Sequence, residues 1–70
     1  MDNREAIRWL DEHGGRWWVR ATQATCFVIA TLGPAKVQAP IRSLRATEVN
    51  EALVAAVMEL QDRTGDDPQS

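Results

Sequence analysis

The sequence predicts a two-layer α+β domain in the order helix, three antiparallel strands, helix (αβββα), and three observations support that prediction. Residues 16–40 concentrate the β-branched and aromatic side chains, which favour strands. An amphipathic stretch with helical spacing lies on either side of that segment. The pairs Gly14-Gly15 and Gly33-Pro34 fall where the chain has to turn. Both helices are expected on one face of the sheet, because an apolar sheet face has to be covered by another layer.

The first helix is predicted to begin after Asp2, whose side chain can cap it, with Glu5 completing a capping box three residues later. At helical spacing its charged and apolar side chains separate onto two faces. The helix is expected to end near His13, because Gly14 can take the left-handed conformation at a helix C-terminus. The apolar face consists of Ala6, Ile7, Trp9, Leu10 and His13.

Three strands are predicted to follow the first helix. Residues 16–21 alternate between two faces, as a strand with one buried face does. Residues 25–32 are apolar on both faces, which is typical of a central strand. Residues 36–39 form a short third strand, and Pro40 confines it to an edge of the sheet or ends it.

The connection between the first two strands, residues 22–24, lacks the Asn-Gly or Asp-Gly pair of a tight hairpin. A continuous helix over residues 21–32 is the competing interpretation of this region. The threonines and the β-branched residues within it favour strands instead.

The second helix is predicted to follow Thr47 as its N-cap and to run to about Arg63, with Glu48 and Glu51 in its first turn. Its core-facing stripe at helical spacing consists of Val49, Leu53, Ala56, Val57 and Leu60. Residues 1–63 are therefore expected to form a single domain. Residues 64–70 carry a C-cap glycine, two acids and a proline, and they are expected to be a disordered tail.

This order of elements resembles that of the double-stranded-RNA-binding domain, which is also close to this length. That family relies on a basic lysine cluster that opens its second helix. Here the corresponding stretch is ATEVNEAL, which contains Glu48 and Glu51 and no lysine. The resemblance is one of topology, and it transfers no RNA-binding residue to this chain.

Charge and composition restrict the class of protein. The 70 residues carry a formal net charge of −2, which by itself favours neither nucleic acid nor a membrane surface as a partner. The single cysteine cannot form an internal disulfide, and the N-terminal stretch MDNREAIRWL has acids and bases where a secretory signal would need an apolar core. The longest apolar run is far too short to span a membrane. We therefore expect a soluble cytoplasmic protein without a membrane partner.

The side chains that carry out chemistry in enzymes are few. His13 and Cys26 are the only residues of their types, and Cys26 is predicted within a strand, where a packed thiol is the usual role. Zinc needs about four close ligands, which this chain does not supply. Gly14-Gly15 precedes a strand, whereas a phosphate-binding loop precedes a helix. The sequence predicts no enzyme activity, no metal or other cofactor and no small-molecule substrate.

Two apolar surfaces remain after the predicted core has formed. On the sheet, we expect Trp17, Val19, Phe27, Ile29 and Val37 to face the helices. The opposite face would then carry Trp18, Arg20, Cys26, Val28, Ala30, Lys36 and Gln38. On the second helix, Val54 and Met58 extend the apolar surface beyond the core stripe, so the helix is apolar nearly all round. The simplest alternative is that these are ordinary half-exposed side chains.

These surfaces predict a small non-enzymatic protein-interaction module, such as an adaptor, an inhibitor of the size that phages and mobile elements encode, or a regulatory subunit. A symmetric homodimer would cover an apolar face most economically, because one patch serves both partners. The alternative is a nucleic-acid-binding protein that uses tryptophan, arginine and lysine on the sheet. The predicted partner-binding residues are Trp18, Arg20, Val28, Lys36, Gln38, Val54 and Met58.

Overall fold

A computed structural model describes residues 1–65 of the chain. The elements are helix α1 (Asn3–Glu12), strands β1 (Arg16–Ala21), β2 (Cys26–Leu32) and β3 (Ala35–Ile41), and helix α2 (Ala46–Thr64). The strands form one antiparallel sheet in the order β1-β2-β3, so that β2 is central. The predicted α+β class, the order of elements and the central position of the second strand are confirmed.

Helix α1 begins as its sequence predicts. The Asp2 carboxylate accepts a hydrogen bond of 2.8 Å from the Glu5 backbone N–H, which is otherwise without a helical partner. The chain leaves the helix through Gly14, at a φ of 73°, where a side chain would be strained. Gly15 then passes so close to Leu10 and to the Thr31 carbonyl that a Cβ atom would lie 2.7 Å and 2.9 Å from them. This close passage brings the end of α1 against the sheet.

The β1–β2 hairpin has a two-residue loop, Gln23-Ala24, in place of the three-residue connection predicted. Its turn is organised by Thr22, whose hydroxyl accepts a hydrogen bond of 3.0 Å from the Thr25 backbone N–H. The Thr22 backbone N–H in turn donates to the Thr25 carbonyl at 2.7 Å. A threonine side chain therefore supplies the closure that Asn-Gly supplies in commoner hairpins.

The β2–β3 hairpin turns at Gly33-Pro34, where Gly33 has a φ of 59°. Proline cannot take a positive φ, so only the first loop residue is left-handed, which is the type II′ pattern. Strand β3 extends through Pro40 to Ile41, two residues beyond the predicted end. Because β3 is an edge strand, Pro40 costs the ladder no essential donor.

The predicted facing of β2 is wrong. Val19 on β1 lies opposite Val28, and Ala39 on β3 does so from the other side. Residues directly opposite in an antiparallel sheet share a face, so Val28 points towards the helices, as do Cys26 and Ala30. Phe27 and Ile29, expected under the helices, point to the opposite face. The cause is the loop length, because a shift of one residue in register exchanges the two faces of a strand.

Helix α2 starts two residues earlier than predicted, because Arg45 rather than Thr47 is its N-cap. No side chain caps the first turn from that position. Instead, the Glu48 carboxylate accepts hydrogen bonds from the Ser43 backbone N–H at 2.7 Å and from the Ser43 hydroxyl at 2.8 Å. These bonds fix the loop that leads from β3 into α2.

The core lies between the sheet and the helix layer. Helix α2 packs across β2 and β3, whereas α1 packs mainly against α2 and makes few contacts with β1. The buried core residues are Ala6, Leu10, Val28, Ala30, Val37, Leu53, Ala56, Val57 and Leu60. The predicted α2 stripe belongs to this core, with Val49 partly buried at its margin. Most of the predicted disordered tail, residues 66–70, lies outside the described residues.

Candidate binding face

Nine residues, three from each strand, form the face of the sheet opposite the helices. We call it the open sheet face. Its side chains stand in three cross-strand rows because the register of both strand pairs is continuous. The rows are Arg16, Thr31 and Lys36; Trp18, Ile29 and Gln38; and Arg20, Phe27 and Pro40.

The open sheet face is basic, although the chain as a whole has a net charge of −2. It carries Arg16, Arg20 and Lys36, all exposed, and no carboxylate. The carboxylates among residues 1–65 all belong to the two helices or to the N-cap of α1: Asp2, Glu5, Asp11, Glu12, Glu48, Glu51, Glu59 and Asp62. The open sheet face is therefore net positive, whereas the helix layer is net negative, because its carboxylates outnumber Arg4, Arg8 and Arg63.

Two aromatic side chains lie on the open sheet face. Trp18 is 42% exposed and occupies the middle of β1. Phe27 is partly buried and pairs with Arg20, so it is the diagonal neighbour of Trp18 on the adjacent strand. Diagonal neighbours in a sheet lie about 7–8 Å apart, within reach of aromatic rings. The sequence interpretation missed Phe27, and a two-residue first loop would have placed it here.

The centre of the open sheet face is already shielded. Ile29 points away from the helices, yet only 2% of its surface is exposed. It lies in the middle strand between Trp18 and Gln38, and the longer side chains of both edge strands surround it. The apolar surface available to a partner is therefore mainly that of Trp18 and part of Phe27.

Four of the seven predicted partner-binding residues share this face: Trp18, Arg20, Lys36 and Gln38. Val28 does not, because it is 0% exposed in the core beneath the helices. The prediction that Val28 binds a partner is therefore wrong, and the error follows from the wrong facing of β2.

The remaining two predicted residues, Val54 and Met58, lie on α2 in the helix layer. Val54 is partly buried and packs against the core, on the side where α1 meets α2. Helix α2 is apolar nearly all round because it contacts the sheet on one side and α1 on another. Met58 remains 54% exposed as a single apolar side chain. These two residues are separate from the open sheet face, so the seven do not form one site.

The reactive side chains lie apart. The His13 ring stacks on Trp9 at a centroid distance of 4.3 Å, and its Nδ1 lies 2.8 Å from the Trp9 carbonyl oxygen. The chain that follows His13 meets the sheet at Gly15, beside the Thr31 carbonyl. Cys26 is the first residue of β2, five residues along the strand from Thr31. Five residues of strand span about 17 Å, so His13 and Cys26 are not arranged as a catalytic pair.

Within residues 1–65, no three carboxylate, histidine or cysteine side chains are grouped so that they could hold a metal ion. An open cleft of about 380 Å³ lies where β3 meets the start of α2, lined in part by Arg42, Glu48 and Glu51. The Glu48 carboxylate there is already engaged by Ser43.

The described helices include none with the length and apolar character needed to cross a bilayer. No protein family, curated protein or solved structure gives a significant match to this chain.

Proposed function

We propose that this protein is a non-enzymatic binding module whose open sheet face binds single-stranded nucleic acid. The observation that carries the proposal is the composition of that face: three cations and two aromatic rings with no carboxylate among them. Proteins that bind single strands combine basic side chains along the backbone path with aromatic rings on which bases stack.

The charge distribution favours a polyanionic ligand. Arg16, Arg20 and Lys36 lie on one surface, whereas the carboxylates of residues 1–65 lie in the helix layer and its N-terminal cap. A ligand on the open sheet face therefore meets three positive charges and no carboxylate on the same face. Phosphate groups gain most from such a surface, since each neutralised phosphate releases a counterion.

The position of Trp18 favours a ligand that stacks. It lies between Arg16 and Arg20 on the same face of β1, each two residues or about 7 Å away. A base resting on the exposed indole would have its flanking phosphates within reach of the two guanidinium groups. Phe27, diagonal to Trp18, offers a second ring to the neighbouring base.

A protein partner, the first expectation from the sequence, is supported less well by this geometry. Ile29 is already covered, so the face lacks the broad apolar centre of a stable protein interface. A symmetric dimer through this face would also place three cations against three cations, which is unfavourable. Trp18 and Arg20 are nevertheless residue types common in interface hot spots, so a protein with an acidic surface is the competing partner.

Fluorescence anisotropy with a labelled oligothymidylate tests the proposal. We expect binding at low salt, with log K falling against log salt at a slope of about −2 for three phosphate contacts. Arg16→Gln or Lys36→Gln should reduce the magnitude of that slope by about 0.7. Trp18→Ala should weaken binding about tenfold with little change in slope, because it removes stacking and no charge.

The matched control is Arg8→Gln, which removes an exposed cation from α1 on the other side of the molecule. It should leave both affinity and slope unchanged. An acidic peptide, polyglutamate, is the second probe. If polyglutamate binds as tightly as the oligonucleotide, or if Trp18→Ala has no effect on oligonucleotide affinity, the open sheet face binds acidic protein rather than nucleic acid. Absence of binding to either probe at low salt would refute a polyanion-binding face altogether.

A further inference from the structure

We infer that two copies of this chain pair through the free edge of β1, antiparallel and centred on Val19, to form a continuous six-stranded sheet. The contact differs from the sheet-face dimer expected from the sequence, and it does not depend on what the open sheet face binds. Three features of β1 support this pairing: its free backbone groups, its exposed apolar side chains, and the positions of its arginines, which make some registers unfavourable.

The hydrogen-bond pattern identifies the free backbone groups of β1. The Thr22 N–H donates to the Thr25 carbonyl, so this pair is of the hydrogen-bonded type. Bonded and non-bonded pairs alternate in an antiparallel ladder. The backbone groups of Trp17, Val19 and Ala21 therefore point away from β2, towards the open edge.

This edge lacks two of the devices that protect edge strands, a bulge and a proline, although Arg16 and Arg20 give it charge. The register of β1 with β2 runs from Arg16 to Ala21 without a bulge, and β1 contains no proline. The opposite edge differs, because β3 carries Pro40. Natural edge strands that stay unpaired usually contain such interruptions.

The helix-side face of β1 is also incompletely covered. Trp17 packs against the core, whereas Val19 and Ala21 do not belong to the apolar cluster beneath the helices. Val19 is 36% exposed and Ala21 is exposed. A second β1 strand at this edge would bring apolar partners to both side chains.

Charge and the length of overlap together select the register of the pair. In a two-fold arrangement centred on Trp18, Arg16 would lie opposite Arg20 of the second copy, and centring on Arg20 would place two Arg20 side chains together. Like charges directly opposite destabilise a sheet. Centring on Trp17 or Ala21 avoids these contacts but pairs only three residues or one residue of β1 with the second copy. Centring on Val19 avoids them, pairs five residues and places Trp18 beside Arg20 of the other copy, a favourable cation–π pair that occurs twice.

The two-fold axis of this pair is perpendicular to the sheet, so both open sheet faces point the same way. The cations of the two copies, Arg16, Arg20 and Lys36 from each, would then line one continuous surface. The dimer would present a longer basic surface than the monomer, with the same helix layer behind it.

Sedimentation equilibrium over a concentration series tests the association. We expect the parent chain and Val19→Thr to approach twice the monomer mass of 7.8 kDa as concentration rises. Val19→Lys should remain monomeric, because two ammonium groups would face each other across the axis. Circular dichroism should show that this variant is folded, since position 19 is partly exposed. A parent chain that stays monomeric up to its solubility limit, or a folded Val19→Lys that dimerises like Val19→Thr, would overturn the inference.

Cysteine cross-linking tests the register, in a Cys26→Ser background that removes the native thiol. In the proposed pair the two Val19 Cα atoms lie about 5.5 Å apart, within the range a disulfide can bridge. The two Ala21 Cα atoms would be about 14 Å apart, because four residues separate them along the strands. Val19→Cys should therefore oxidise to a covalent dimer and Ala21→Cys should not. Equal cross-linking at both positions, or cross-linking at position 21 alone, would rule out this register.

Discussion

Val28 and Ile29 are neighbours in β2 and are almost equally buried, at 0% and 2% exposed, although they point to opposite faces of the sheet. The helices cover Val28. Ile29 is flanked by Trp18 and Gln38 of the two edge strands and does not belong to the core beneath the helices. A strand that is apolar on both faces therefore needs no second layer here, because its central position supplies the shielding.

Val28→Glu should prevent folding rather than weaken a binding surface. The substitution would place an unpaired carboxylate in the core between the sheet and α2, where burial of a charge is very costly. Circular dichroism and thermal denaturation should show loss of the cooperative transition. Gln38→Glu, which adds the same group at an exposed position, is the control and should melt as the parent does. A folded Val28→Glu protein would show that Val28 is not in the core.

Leu53→Ala should destabilise the domain by about 2–5 kcal/mol, since Leu53 is fully buried and the change leaves a cavity. That loss is a large share of the stability available to a domain of this size. Chemical denaturation monitored by tryptophan fluorescence would measure it. Met58→Ala, on the exposed side of the same helix, should change stability by less than about 0.5 kcal/mol. Similar midpoints for the two variants would contradict the burial of this helix face.

Gly15→Ala should cost about 1–3 kcal/mol, because its Cβ atom would clash with Leu10 and with the Thr31 carbonyl. The adjacent Gly14 offers a contrasting control. It has a positive φ and open space around it, and asparagine takes that conformation more readily than other residues with a side chain. Gly14→Asn should therefore lower the thermal stability less than Gly15→Ala does. If Gly15→Ala is the milder of the two, the end of α1 does not lie as close to β2 as described.

Thr22→Val should weaken the first hairpin by about 1 kcal/mol, because valine keeps the shape of the side chain but loses the hydroxyl that accepts from Thr25. Thr22→Ser keeps the hydroxyl and should stay close to the parent. Hydrogen exchange of the Thr25 amide gives a local measurement. We expect faster exchange in the valine variant alone, and unchanged protection there would mean that the hydroxyl does not hold the turn.

Most of the fold follows from local signals in the chain. Asp2 and Gly14 mark the ends of α1, and the stripe through Leu53 marks the buried side of α2. These signals work because caps, left-handed glycines and helical spacing act over a few residues.

The facing of β2 could not be read in the same way, because apolar residues occupy both of its faces and alternation gives no preference. Loop length decides it instead. A two-residue loop at Gln23-Ala24 pairs Val19 with Val28. The predicted three-residue connection would instead pair Val19 with Phe27, which points to the other face of β2 than Val28 does. The Gly33-Pro34 turn was a usable signal, since a two-residue loop there places Val28 and Val37 on the same face. The sequence therefore predicts part of the candidate site. It places Trp18, Arg20, Lys36 and Gln38 on one face, but it assigns Phe27 to the face beneath the helices.

The separation of charge between the two layers has a consequence for how the molecule meets its surroundings. The shortest dimension of the structure is 16 Å, and salt at physiological strength screens charges over about 8 Å. A distant polyanion at low ionic strength experiences the net charge of −2 and is repelled, whereas one already at the sheet experiences the three cations. Moderate salt screens the long-range repulsion from the net negative charge, while the short-range attraction between the three cations and a polyanion at the sheet persists. Encounter should thus depend on the orientation in which the protein arrives, and the rate of approach should pass through a maximum at intermediate ionic strength.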